Sequence, residues 1–138
     1  MQRILVVEDD IEIQDMLRNY LTDAGYEVVI AEDGVTGIAK FDDTINLVLL
    51  DIMLPKIDGY GVCEVIRQRS QVPIIMLTAL SDEENQIKGF EQQIDDYIPK
   101  PFSPKILLYK IAAIFRRGSS DTQKQMSIVY KDLCMDID

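Results

Sequence analysis

The 138-residue chain contains no histidine. That excludes a catalytic imidazole, a histidine metal ligand and a phosphohistidine carrier. Its two cysteines, Cys63 and Cys134, cannot make a disulfide framework or a Cys-x-x-Cys metal site. Basic residues are in deficit: 14 Lys and Arg against 24 Asp and Glu leave a net charge of −10. Such a balance opposes the phosphate backbone of nucleic acids and anionic membranes alike. Long apolar runs are also missing. The opening stretch, MQRILVVEDD, reaches acids at Glu8, so it reads as neither signal peptide nor membrane span. The cytosol is the expected compartment.

What is present suffices for one compact domain, with 47% of residues hydrophobic. Short apolar runs alternate with amphipathic stretches. Ile4 to Val7 is a β-branched-rich run that ends in Glu8-Asp9-Asp10. Ile13, Met16, Leu17, Tyr20 and Leu21 then recur at helical spacing, as in a helix buried on one side. Asp10 is its expected N-cap and Gly25 its stop. Tyr26 to Ala31 reads as a second strand, and Asp33-Gly34 turns into a small-residue helix through Phe41. Leu47 to Leu50 is a third strand running into Asp51. Asp58 is placed to cap a helix carrying Val62, Val65 and Ile66. Ile74 to Leu77 is a fourth strand running into Thr78. A polar helix follows from about Asp82, anchored by Ile87 and Phe90. Asp96-Tyr97-Ile98 is a short last strand before Pro99-Lys100-Pro101. The final helix starts at Ser103-Pro104, carries Leu107, Ile111, Ile114 and Phe115 inward, and ends at Arg116-Arg117-Gly118.

Five continuous apolar strands, each followed by a helix, predict an α/β fold: a doubly wound, five-stranded parallel sheet with helices on both faces. Right-handed crossovers favour the order 2-1-3-4-5. Residues 1–118 form this domain, and residues 119–125 read as a polar linker. From Met126 the apolar period becomes two, through Ile128 and Tyr130 and then Leu133, Met135 and Ile137. Residues 126–138 are expected to begin a second, β-rich domain cut short in this chain.

Ligands of open parallel sheets bind beyond the C-terminal strand ends, where strand order reverses. In the expected order that point lies between the first and third strands, which deliver Glu8-Asp9 and Asp51. Three acids meeting there repel one another and require a cation. An all-oxygen site with water positions suits Mg²⁺. The fourth strand brings Thr78 and the fifth Lys100 to the same rim. This set suits phosphoryl transfer onto an aspartate, in which positioning and charge stabilisation do most of the work.

The stretches ILVVEDD, LVLLDIMLPKIDGYGVCEVIR, VPIIMLTAL and DDYIPKPFSPKILL, in this order, resemble the receiver domain of bacterial two-component response regulators over residues 2–118. The tail, SIVYKDLCMDI, looks like the entry to the winged-helix DNA-binding domain of the OmpR/PhoB-like subfamily. The resemblance implies Asp51 as phosphoacceptor for a sensor histidine kinase. It implies Mg²⁺, with Mn²⁺ as the alternative, on Glu8, Asp9, Asp51 and the Met53 backbone carbonyl. Thr78 and Lys100 become phosphoryl contacts, Tyr97 the switch aromatic, and the bond before Pro101 a cis peptide. Self-phosphorylation would be Mg-dependent, and the domain a switch rather than an enzyme. Related proteins dimerise through the fourth helix, last strand and fifth helix. Here that face would hold Glu84, Asp96, Ile106, Tyr109, Lys110 and Arg117. Asp96 with Lys110, and Glu84 with Arg117, remain available for cross-subunit pairs. Gln86 and Ile106 stand where a charged pair is usual, and Gln93-Ile94 replaces a usual Gly-Ala. DNA contact would belong to the missing C-terminal domain, and no membrane contact is implied.

Each residue also has a plainer reading. An acid after a strand is often a solvated loop residue, Thr78 an ordinary strand end, and Tyr97 a core aromatic. Cys63 reads as a small residue on a helix surface. Gly59 and Gly61 allow a turn and close approach, without forming a nucleotide loop. Two rival functions share parts of the pattern. A dehalogenase-type phosphatase needs a second aspartate two residues after the nucleophile, where Met53 stands. A flavodoxin-like cofactor binder needs a phosphate loop after the first strand, where acids stand instead. A third reading keeps the receiver fold as a protein-binding module without phosphoryl chemistry. Met53 and Leu80, two residues past Asp51 and Thr78, are apolar and cannot orient water, so loss of the phosphoryl group is expected to be slow.

Overall fold

A computed structural model describes residues 1–78 and 94–121, with side chains over 1–77 and 94–117. The chain divides into two compact units, Met1–Pro104 and Lys105–Asp138. The elements are β1 (Arg3–Val7), α1 (Ile11–Asp23), β2 (Glu27–Ala31), α2 (Gly34–Lys40), β3 (Leu47–Asp51), α3 (Gly59–Arg67), β4 (Ile74–Thr78), β5 (Asp96–Pro99) and a C-terminal helix, Pro104–Asp121. All strand pairs are parallel, in the order β2-β1-β3-β4-β5. The polar helix expected from Asp82, with Leu80, Glu84, Gln86, Ile87, Phe90 and Gln93, lies outside the described residues. So does the segment 126–138.

The central strands are apolar along their whole length because both sheet faces are covered. Leu5, Val7, Val48, Leu50, Ile74 and Met76 join Val62, Cys63 and Ile66 of α3 in one buried cluster. Their neighbours in sequence, Ile4, Val6, Leu47, Leu49, Ile75 and Leu77, are equally buried and point to the opposite face, since side chains alternate along a strand. Each fully buried aliphatic side chain of this kind contributes roughly 1.5–3 kcal/mol.

The helix ends follow local chemistry. Asp10 accepts from the N–H groups of Glu12 and Ile13, and Asp58 from that of Gly61. Asp33 caps α2 through Thr36. Gly25 has φ +96°, with Gly25 N–H bonded to Thr22 O and Tyr26 N–H to Leu21 O. This is a Schellman stop, and the left-handed conformation it needs favours glycine.

Three local expectations fail. In α1 the buried stripe is Gln14, Leu17 and Leu21, and Tyr20 is exposed. Spacings of three and four centre the stripe on that line and leave Tyr20 at its flank. Cys63 is fully buried in the core cluster rather than on a helix surface, because it stands three residues before Ile66 on the inward side of α3. The C-terminal helix runs on to Asp121 rather than ending at Gly118. One glycine inside a helix costs only about 1 kcal/mol relative to alanine. This helix buries Leu107, Ile111 and Ile114, and exposes Ile106 and Tyr109.

Candidate functional site

The register builds the site. Val7 of β1 pairs with Leu50 of β3, so one further step brings Glu8 level with Asp51. Glu8 N–H still bonds to Ala31 O at 3.0 Å, and Ile52 N–H to Leu77 O at 3.1 Å. Both acids therefore leave their strands from a backbone held on one side by a neighbouring strand. Ligand oxygens of Glu8, Asp9 and Asp51 lie within 4.8 Å of one another. Glu8 and Asp51 are buried and Asp9 is exposed, so the cluster opens toward solvent through Asp9.

Lys100, the residue after β5, reaches both buried acids. Its Nζ stands 3.0 Å from Glu8 Oε1 and 3.1 Å from Asp51 Oδ2. The Glu8 contact is an ion pair without hydrogen-bond alignment, and buried Oε1 accepts no hydrogen bond. Glu8 Oε2 accepts from Asp10 N–H at 3.1 Å, and Asp51 Oδ1 from Met53 N–H at 3.2 Å. The Lys100–Pro101 bond is cis.

Burial raises the Glu8 pKa from 4.5 to about 7; the nearby ammonium of Lys100 opposes this and the charge of Asp51 adds to it. For Lys100 burial works against the charge, but the contacts with Glu8 and Asp51 outweigh it and hold the ammonium above its ordinary value. Three carboxylates against one ammonium leave a formal charge of −2 at the cluster, which a divalent cation neutralises. The donors are all oxygen, and buried Glu8 Oε1 faces the Lys100 ammonium without an aligned hydrogen bond. The residues present therefore fit a hard cation.

Other expected residues fall around this centre. Met53 is exposed beside Asp51. Thr78 closes β4, paired with Pro99, and its side chain lies outside the described part. Tyr97 is half-buried on β5 and packs against the core cluster. Glu84 lies outside the described residues. Close approach at Gly59 is real: a Cβ there would sit 2.5 Å from Asp51 O and 2.7 Å from Ile52 Cα. At Gly61 it would meet Ile57 Cγ1 at 2.6 Å.

Two contributors were not foreseen. Gln14 donates from Nε2 to Glu8 O at 2.6 Å; its place on the buried line with Leu17 and Leu21 was the available signal. Tyr60, buried on α3, brings its hydroxyl to 3.2 Å from that of Tyr97, a pairing with no signature in sequence spacing.

Residues 4–112 match the response regulator receiver domain family. The chain belongs to that family. The receiver is 49% identical over 122 residues to a probable transcriptional regulator ycf27 of Cyanophora paradoxa, covering 88% of this chain and 51% of that protein. It is 42% identical to the transcriptional regulatory protein CpxR of Klebsiella pneumoniae, covering 91% of this chain and 54% of that one. The crystal structure of DrrB, an OmpR/PhoB homolog from Thermotoga maritima, superposes with a TM-score of 0.77 at 37% identity, covering 86% of this receiver and 54% of that chain. The receiver's homologues are thus regulators of the OmpR/PhoB type, and the chain spans about half the length of the curated relatives it matches. Its acidic cluster fits a receiver metal site. No helix among the described residues is long and apolar enough to cross a membrane.

Proposed function

We propose that this receiver takes a phosphoryl group onto Asp51 from a sensor histidine kinase and uses it as a switch. The observation that carries the reading is the meeting of Glu8, Asp9 and Asp51 within 4.8 Å, with Lys100 spanning the two buried acids. A carboxylate oxygen of Asp51 attacks phosphorus in line with the departing imidazole nitrogen. The P–N bond breaks as the P–O bond forms, and the imidazole, already protonated on its other nitrogen, keeps the P–N electron pair and leaves neutral. Lys100 gives up its contact with Asp51 Oδ2 and stabilises a phosphoryl oxygen instead, while Glu8 keeps it at the rim. Thr78, at the end of β4, is assigned a second phosphoryl oxygen. Mg²⁺, or Mn²⁺, would be held by Glu8, Asp9, Asp51 and the Met53 carbonyl, and would neutralise charge on the transferred group.

The readout follows from Tyr97. Recruitment of Thr78 to the phosphoryl group frees space for the Tyr97 ring to turn, and a partner preferring the altered face shifts the population in turn. We assign a phosphorylation-favoured homodimer to that face, supported on the C-terminal helix by Ile106 and Tyr109, which are 52% and 65% exposed. Regulation of transcription, and any DNA contact, belong to a winged-helix segment beyond residue 125.

Intact mass after incubation with acetyl phosphate and Mg²⁺ tests the reading. The wild type should gain one phosphoryl group and Asp51→Ala none. Equal labelling of the two proteins would remove Asp51 from its role.

A further inference from the structure

Gln14 occupies a place that α1 otherwise gives to apolar side chains, on one buried line with Leu17 and Leu21. A carboxamide there costs desolvation unless its polar atoms are matched. The match is specific: Nε2 donates to the Glu8 carbonyl at 2.6 Å, across six residues of chain. That carbonyl is the first one after β1 and lies between the two neighbouring acids, Glu8 and Asp9.

Glu8 is held at every polar atom it has. Its N–H bonds to Ala31 O, its Oε2 accepts from Asp10 N–H, and its Oε1 faces Lys100. Gln14 supplies the remaining contact, at the carbonyl. This contact has a consequence the others lack, because the Glu8 carbonyl is one end of the rigid peptide plane joining Glu8 to Asp9. Fixing the carbonyl fixes that plane, and with it the direction in which the exposed Asp9 carboxylate leaves the backbone. Without the donor, the plane is free to rotate and the two acids lose their common aim.

We infer that Gln14 is a positioning residue for the metal pair, setting the Glu8–Asp9 peptide so that both carboxylates face the ion. The inference rests on the metal reading above. Supports of this kind typically govern metal affinity by a factor of ten or more without touching the ion.

The test separates positioning from packing. Gln14→Met keeps the side-chain volume and removes the donor. Gln14→Asn keeps an amide but withdraws it by one methylene. Leu17→Ala opens a cavity on the same helix line and leaves the carbonyl contact in place. Mg²⁺ affinity is measured by titration followed in the amide NMR spectrum, and thermal unfolding is measured on the metal-free proteins. Gln14→Met is expected to weaken Mg²⁺ binding about tenfold while its unfolding temperature falls less than that of Leu17→Ala, and Gln14→Asn to weaken binding in the same direction. Leu17→Ala is expected to unfold earlier and bind Mg²⁺ as wild type does. Unchanged affinity in Gln14→Met, or an equal loss in Leu17→Ala, overturns the inference. A wild type that binds no Mg²⁺ overturns the metal reading itself, and this inference with it.

Discussion

The hydroxyl of Tyr60 on α3 lies 3.2 Å from the hydroxyl of Tyr97 on β5, linking the helix that follows Asp51 to the strand that precedes Lys100. Both rings pack with the cluster on the α3 face of the sheet. A hydrogen bond between neutral groups in such a place contributes about 0.5–1.5 kcal/mol net. A double-mutant cycle with Tyr60→Phe and Tyr97→Phe, followed by urea unfolding, should give a coupling of about that size. In the proposed switch the Tyr97 ring turns, so the coupling should shrink with beryllofluoride and Mg²⁺ present. Additive single effects in both conditions would deny the pair any energetic meaning.

Glu8 gives the metal-free protein a pH dependence of definite sign. Its pKa is raised on folding, from 4.5 to about 7, so the folded state holds a proton that the unfolded state has released. Stability from this group is full below about pH 4.5, declines as pH rises through the window, and is lost above about pH 7. A shift of this size sets a ceiling of about 3 kcal/mol. Asp33 and Asp42 act oppositely. Backbone hydrogen bonding from Thr36 lowers Asp33, and the Thr44 hydroxyl lowers Asp42, so their stabilisation is lost only as pH falls below the usual carboxylate range. Between pH 5 and 8 Glu8 therefore dominates among these three. Thermal unfolding of wild type should fall over that range without metal, and Glu8→Gln, which mimics the protonated acid, should flatten the slope. Identical slopes for the two proteins would contradict the assignment.

The sheet and its strand order were legible because buried parallel strands are apolar along their length, and Ile4–Val7, Leu47–Leu50 and Ile74–Leu77 have that character without interruption. Glu8 and Asp51, after the first two of these runs, were legible for the same reason: a charge directly after an apolar run marks the strand end. Lys100 was harder to place, since its role depends on a reach to Glu8 and Asp51 that no spacing encodes. Gln14 was missed because the stripe was drawn through Ile13, Met16 and Tyr20, beside the line Gln14 shares with Leu17 and Leu21, and Tyr60 because no spacing encodes a hydroxyl pair between α3 and β5. Cys63 was put on the wrong side of its helix, although an apolar line through Tyr60, Cys63 and Ile66 at i, i+3 and i+6 was available.

Gly59 ties α3 to Asp51, the proposed phosphoacceptor. An added Cβ would meet Asp51 O at 2.5 Å and Ile52 Cα at 2.7 Å. Both are backbone atoms, which cannot swing aside as a side-chain tip would. Gly59 N–H also bonds to Ile52 O at 2.9 Å, so the helix start cannot retreat without losing that bond. Gly59→Ala is expected to destabilise by about 1–3 kcal/mol, the usual range for overpacking, and to slow labelling of Asp51 by acetyl phosphate. Wild-type stability together with a wild-type labelling rate would show that the contact is relieved at no cost.

In the proposed switch, Met53 bears on how long a phosphoryl group would stay on Asp51. Its N–H donates to Asp51 Oδ1 at 3.2 Å, while its side chain is 61% exposed. A thioether at this position offers no base to an attacking water. On the proposed phosphorylation of Asp51, slow loss of the phosphoryl group is the expected outcome. Glu at this position would keep the backbone contact and add a carboxylate able to orient water, an arrangement whose full effect in enzymes is about 10²–10⁴-fold. An exposed, mobile side chain captures only part of that, so Met53→Glu is expected to speed decay of phosphorylated Asp51 about tenfold. Decay followed by intact mass after removal of acetyl phosphate reads the rate directly. An unchanged half-life would mean that water reaches phosphorus by a path the Met53 side chain does not border.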